Sequence, residues 1–148
     1  MISQTAEYAL RAVVRLAEGH PSPHTTAQIA DATRTPAGYL AKVMQSLCRA
    51  GVVRSRRGQG GGFTLNIAPT ALSVLKVINA VDPMQRITQC PLGSPRHSAG
   101  LCPLHRRLDE AMESVEKSFC KTTIDQLLPG AKREEAACRF PSEAGVNC

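Results

Sequence analysis

Residues 35–65 read TPAGYLAKVMQSLCRAGVVRSRRGQGGGFTL, and this stretch decides the fold. Its first half predicts a helix. Thr35 can cap it, and Pro36 suits the first helical position, where a missing N–H costs nothing and the fixed φ is already helical. Gly51 offers a C-terminal cap. Between these ends Leu40, Val43, Met44 and Leu47 recur at helical spacing as one apolar stripe, while Gly38, Lys42, Gln45 and Arg49 occupy the opposite side. One face is built to pack and the other is free to touch a partner. Upstream, Thr25 and Gln28 have capping-box spacing and open a short helix through Ile29, Ala30 and Ala32, with Thr33 and Arg34 as the connection. Two short helices joined by a tight turn make a helix-turn-helix.

The second half predicts a strand pair around a basic turn. Val52 and Val53 begin one strand and Phe63, Thr64 and Leu65 return; Arg54, Arg56, Arg57 and the run Gly58-Gln59-Gly60-Gly61-Gly62 lie between. Glycine lets a backbone approach a phosphate ridge closely, and arginine suits phosphates and a narrow minor groove. A nucleotide-binding loop would need Gly-Lys-Ser/Thr leading into a helix, whereas these glycines lead into a strand. The stretch is therefore a helix-turn-helix with a wing, in a chain that is mainly α with a small β element.

Length and composition fit this reading. With 148 residues, 43% of them hydrophobic, the chain suits one compact domain or a small domain with an added arm. Residues 1–66 carry eight Lys/Arg against three Asp/Glu, so five of the six net positive charges fall in the first half. Basic charge beside a helix-turn-helix is the footprint of a polyanion binder. Two Tyr, three Phe and no Trp argue against stacking platforms for single strands, so duplex DNA is the expected target. The N-terminus lacks an apolar run of signal-peptide or membrane-spanning length, which predicts a cytoplasmic protein with no membrane partner. In that compartment six cysteines are not expected to form structural disulfides. Cys48 and Cys120, each beside helical apolar residues, read as small buried hydrophobes, and Cys138 and Cys148 receive no role.

The rest of the chain divides by periodicity. Residues 2–18 predict an amphipathic first helix capped by Ser3 or Thr5, with Leu10, Val13, Val14 and Ala17 inward. Glu7 lies at the edge of that stripe; on position alone it is a solvated first-turn carboxylate favoured by the helix dipole. The DNA-binding unit spans residues 1–66, and a connector helix within 67–82 covers roughly 71–81. Residues 83–101 form an irregular loop, and residues 102–128 a long helix with Leu104, Leu108, Ala111, Val115 and Phe119 on one seam. A lone helix with one apolar seam needs a partner, most simply the same helix of a second subunit, which would read a two-fold-related operator. Ile124, Leu127 and Leu128 form a terminal turn packing back, and residues 129–148 a polar tail expected to be disordered.

The irregular loop and the start of the helix after it carry Cys90, His97, Cys102 and His105. Cys102 and His105, three apart at a helix start, project to one side. Thiols and imidazoles converging on a loop suit a soft metal or an iron-sulfur cluster, while scattered cysteines and surface histidines are the alternative on spacing alone. No paired carboxylates or nucleophile-base arrangement stands beside them, so no enzyme is expected.

EYALRAVVRLA, PAGYLAKVMQSLCRAGVVRSRRGQGGGF, VLKVINAVD, the Cys90 to Cys102 loop and TTIDQLL together resemble the Rrf-type winged-helix transcriptional regulators over about residues 1–128. The resemblance implies a homodimeric repressor or activator on a palindromic operator. It implies DNA contacts from Pro36, Gly38, Tyr39 and Lys42 and, in the wing, from Arg57 and Gly58, with Arg56 beside them. Many members bind an iron-sulfur cluster that senses redox state, nitric oxide or iron. Cys90 and Cys102 match the outer two of three cysteines that usually hold it, the middle position being Arg96 with His97 next to it. His105 matches a histidine that some members use, and Glu7 a carboxylate donated from the first helix of the other subunit. The implied ligands are Cys90, Cys102, His105 and Glu7, of a 2Fe-2S rather than a 4Fe-4S centre, with His97 as a substitute. A cluster-free regulator answering to a small molecule or partner protein is the alternative within the family.

Overall fold

The computed structural model describes residues 2–91 and 100–130. Its elements are α1 (Gln4–Glu18), α2 (Thr26–Thr33), α3 (Ala37–Arg49), β1 (Val53–Arg56), β2 (Gly62–Leu65), α4 (Val74–Val81) and α5 (Pro103–Lys121), followed by a 3-10 turn over Ile124–Leu127. Arg96, His97, Cys138, Cys148 and the expected disorder of the tail beyond residue 130 lie outside the described residues.

α1 is the central element, touching α2, α3, α4, β2 and the 3-10 turn. Ser3 caps it by accepting from the Ala6 N–H at 3.2 Å. Its buried side is made largely of Ala6, Ala9, Ala12 and Ala17, small enough for several helices to approach, with Val13, Val14 and Leu16 filling between them. Ile29, Leu40, Val43, Met44, Leu47, Val77, Ile78 and Ile124 complete the core, each at most 2% exposed. Full burial of such a side chain stabilises the fold by roughly 1.5–3 kcal/mol.

α2 opens on the capping box, with Thr25 Oγ1 accepting from the Gln28 N–H at 3.2 Å and Gln28 Oε1 accepting from the Thr25 N–H at 2.9 Å. α3 begins differently from expectation. Pro36 is its N-cap and makes no side-chain cap, while Thr35 is buried and turned inward. Thr33 Oγ1 donates to the Ile29 carbonyl at 2.7 Å and lies 3.0 Å from the Thr35 hydroxyl. The two threonine hydroxyls thus meet inside the turn, and Thr35, one residue ahead of the N-cap, makes no cap bond to α3. The far end of α3 closes as a Schellman motif: Gly51 has φ +69°, its N–H donates to Cys48 O, and Val52 N–H donates to Leu47 O at 3.0 Å.

β1 and β2 pair antiparallel from Val53↔Leu65 to Arg56↔Gly62. The free edge of β2 is taken by His24, whose backbone exchanges two hydrogen bonds with Phe63, at 3.0 and 2.8 Å. The residue before Phe63 must be glycine, because Gly62 has φ +145° and a Cβ there would stand 2.7 Å from the His24 carbonyl carbon.

α4 is shorter than its apolar run. It starts at Val74 with Ser73 as cap, and Leu72, wholly buried, lies in the extended segment ahead of it. That segment pairs with the chain after α5: Val74 N–H donates to Thr122 O at 2.9 Å and Ile124 N–H donates to Leu72 O at 2.8 Å. α5 ends at Lys121 for the same reason, and Ile124 then inserts in the core with Leu127 and Leu128 packed against it. α5 itself has no buried residue, and its Leu104 and Leu108 are 62% and 45% exposed. Cys120 is exposed rather than buried, because α5 lies outside the single-chain core; Cys48 is half-buried, and burial pushes its thiol pKa up. Among the described residues no helix is long and apolar enough to cross a membrane.

Candidate DNA interface and metal centre

The first turns of α3 and the tip of the wing form one exposed surface. Pro36, Gly38, Tyr39 and Lys42 are exposed on α3, and residues 54–60 are exposed throughout the wing. Arg54 donates across the strand pair to Thr64 Oγ1 at 3.1 Å, which leaves it lying along the wing. Among the described residues neither Lys42, Arg56 nor Arg57 makes an ion pair. Their charge is therefore available to an outside anion. The turn between Arg56 and Gly62 is tight: a Cβ on Gly61 would meet the Arg56 carbonyl oxygen at 2.3 Å. Tyr39 is held from behind, its hydroxyl 2.6 Å from Thr5 Oγ1 and its ring edge-on to Tyr8 at 5.5 Å between centroids. This contact fixes the start of α3 on α1 and leaves the ring 41% exposed.

The second group of residues lies where the loop meets α5. Cys102 is the N-cap of α5, followed by Pro103, and its side chain makes no cap bond; it turns to His105 on the next helical turn. Cys102 Sγ is 3.1 Å from His105 Nδ1, Cys90 Sγ is 3.6 Å from the same nitrogen, and the three donor atoms all lie within 4.8 Å of one another. Cys102 is buried and the other two are half-buried. Two thiols and one imidazole at this separation fit a single soft or borderline ion, or one iron of a small cluster. Glu7 does not join them within the chain: it is exposed on α1 and paired with Arg11.

Sequence reasoning missed an ion pair that ties the loop ahead of Cys90 to α5. Arg86 Nε and Nη2 donate to Asp109 Oδ1 and Oδ2 at 2.7 and 2.6 Å, and the Ile87 N–H donates to Asp109 Oδ1 at 2.9 Å. The hydrogen bond from Arg86, ahead of that from Ile87 N–H, holds the Asp109 carboxyl below the usual carboxylate range against partial desolvation, and raises the guanidinium in turn. The partners are 23 residues apart, one in an irregular loop, so no periodicity linked them.

A basic wing beside an exposed recognition helix, joined to a long outlying helix, defines a winged-helix DNA-binding regulator. The chain belongs to the Rrf2 family, whose profile, described as iron-dependent transcriptional regulator, matches residues 2–130. It is 29% identical over 129 residues to the HTH-type transcriptional repressor NsrR of Streptomyces coelicolor, covering 86% of this chain and 87% of that one. It is 32% identical over 147 residues to the HTH-type transcriptional regulator IscR of Aliivibrio salmonicida, covering 99% and 88%. Among solved structures it resembles T. potens IscR, with a TM-score of 0.72 at 20% identity over 92% of this chain and 93% of that one. It also resembles CymR, the global cysteine regulator of B. subtilis, with a TM-score of 0.71 at 24% identity over 86% and 95%. The winged-helix fold and the membership expected from the sequence both hold.

Proposed function

We propose that this regulator acts in the cytoplasm as a homodimer on a palindromic operator, and that an iron-sulfur centre on Cys90, Cys102 and His105 controls its grip on DNA. The observation that carries the reading is the convergence of those three soft donors at the start of α5, the helix whose Leu104 and Leu108 stay exposed. A donor set at that end touches the loop and the outlying helix at once. The bound centre would supply a site that loses or gains an electron, or reacts with nitric oxide.

The chain's own residues do the rest. Cys102 and His105 hold the centre on α5, and Cys90 holds the loop to it. Glu7, exposed on α1, completes the set from the partner subunit, so that ligation orients one DNA-reading unit against the other; four ligands serve a 2Fe-2S or a 4Fe-4S centre alike, and 2Fe-2S is the type we propose. Pro36, Gly38, Tyr39 and Lys42 enter the major groove while Arg56, Arg57 and Gly58 meet phosphates or the adjacent minor groove. Without that shared ligation the two DNA-reading units would be freer to turn against each other and would fit another half-site spacing, a coupling of about 1–3 kcal/mol.

Anaerobic purification with iron and sulfide analysis tests this. A brown protein whose visible absorption disappears in Cys102→Ala is the expected result, and Glu7→Ala should alter that spectrum while the dimer stays folded. A colourless, iron-free protein that still selects an operator would leave the second reading, a cluster-free regulator answering to a small molecule or partner protein. Arg96 in the place of a middle cysteine is the observation that keeps that reading.

A further inference from the structure

The segment that delivers Cys90 has no regular structure of its own between the end of α4 and residue 91. Among the described residues, two tethers upstream of Cys90 fasten it to helices. Near α4, Met84 N–H donates to Asn79 Oδ1 at 3.0 Å. Closer to the cysteine, the Asp109 carboxylate takes both Arg86 donors and the Ile87 N–H. Asp109 lies one helical turn beyond His105, on the same side of α5, and Arg86 lies four residues before Cys90. A two-pronged arginine-carboxylate pair fixes both position and plane, which a single contact does not. Glu113 and Glu116 continue the acidic row at 3.5 and 3.7 Å from the same guanidinium. They are looser, and Glu113 is already paired with Lys117.

We propose that the Arg86–Asp109 clasp is the positioning device of the metal centre: it sets where Cys90 stands against Cys102 and His105, and with it the centre's affinity for metal. This rests on reading those three residues as a metal centre. Arg86 and Asp109 touch no metal. They act through Cys90, by denying the loop the other positions it would sample, in the way that groups supporting a metal's ligands tune the site they orient.

The test uses the full apo chain titrated anaerobically with Co²⁺, whose thiolate charge-transfer absorption reports affinity and geometry together. Wild type should give a tetrahedral spectrum that needs Cys102. Arg86→Ala and Asp109→Asn should each weaken Co²⁺ binding by about 10–100-fold. Arg86→Lys should fall between, and Glu113→Gln should match wild type. Asp109→Asn is the sharper variant, because its amide oxygen can still accept from the Ile87 N–H and Arg86 Nε, while the charge and the second prong, from Nη2 to Oδ2, are lost. Alkylation of apo protein by iodoacetamide, resolved by peptide mass, should speed up at Cys90 in Arg86→Ala and stay constant at Cys102. Wild-type affinity and unchanged Cys90 alkylation in both folded variants would overturn the clasp and spare the centre. A wild-type chain that takes up no Co²⁺ would overturn both.

Discussion

Arg34 sits in the left-handed region at φ 53°, exposed, at the turn between α2 and α3. A side chain there is strained by the contact of Cβ with its own peptide, a conformation that glycine takes freely. Arg34→Gly should therefore raise stability by about 0.5–1 kcal/mol, read as a higher urea midpoint; a lower one would mean that the side chain makes a supporting contact. Arg57 makes no ion pair among the described residues and stands at the wing tip. Arg57→Ala should weaken binding to a duplex selected by the wild type and lower the magnitude of the salt slope by about one. An unchanged slope would take the wing tip out of contact. At this scale the sequence was read well where a side chain acts on its neighbours, as Thr25 and Gln28 do. It was read wrongly at Thr35, whose hydroxyl is claimed by Thr33 inside the turn.

Elements whose causes are local were legible for the same reason. The α3 stripe, the glycine that ends it and the glycine-rich turn all lie within a few residues of what they determine. The start of α4 was not legible, because the residues that pull Leu72 straight, Thr122 and Ile124, are some fifty positions away. The loop before α5 was half legible: its donors were found from residue type, its clasp was not. That clasp has a pH signature. Asp109's carboxyl titrates lower in the folded chain than in the unfolded one, chiefly because Arg86 donates to it. The folded state therefore binds that proton less readily, and the stabilisation is complete above about pH 5 and is lost as pH falls through the depressed value. The melting temperature of Asp109→Asn should lie below that of wild type at neutral pH and approach it in acid. Parallel curves would mean that the pair contributes nothing to the fold.

For the whole molecule, the exposed face of α5 is the feature a single chain does not account for. Leu104 and Leu108 lie one turn apart on it, and no residue of the helix is fully buried. Under the homodimer reading, Leu108→Glu should convert the species seen in sedimentation from dimer to monomer and reduce operator affinity with it. A dimer that persists would place the interface elsewhere. α5 is also fastened at both ends, by Arg86 to Asp109 near its beginning and by the pairing of Leu72 and Val74 with Thr122 and Ile124 just past its end. A rod pinned at two points has no slack joint in which a twist could dissipate. A rotation imposed at its first turn would bear on α4, and α4 packs in turn against α3, the helix that presents the reading surface.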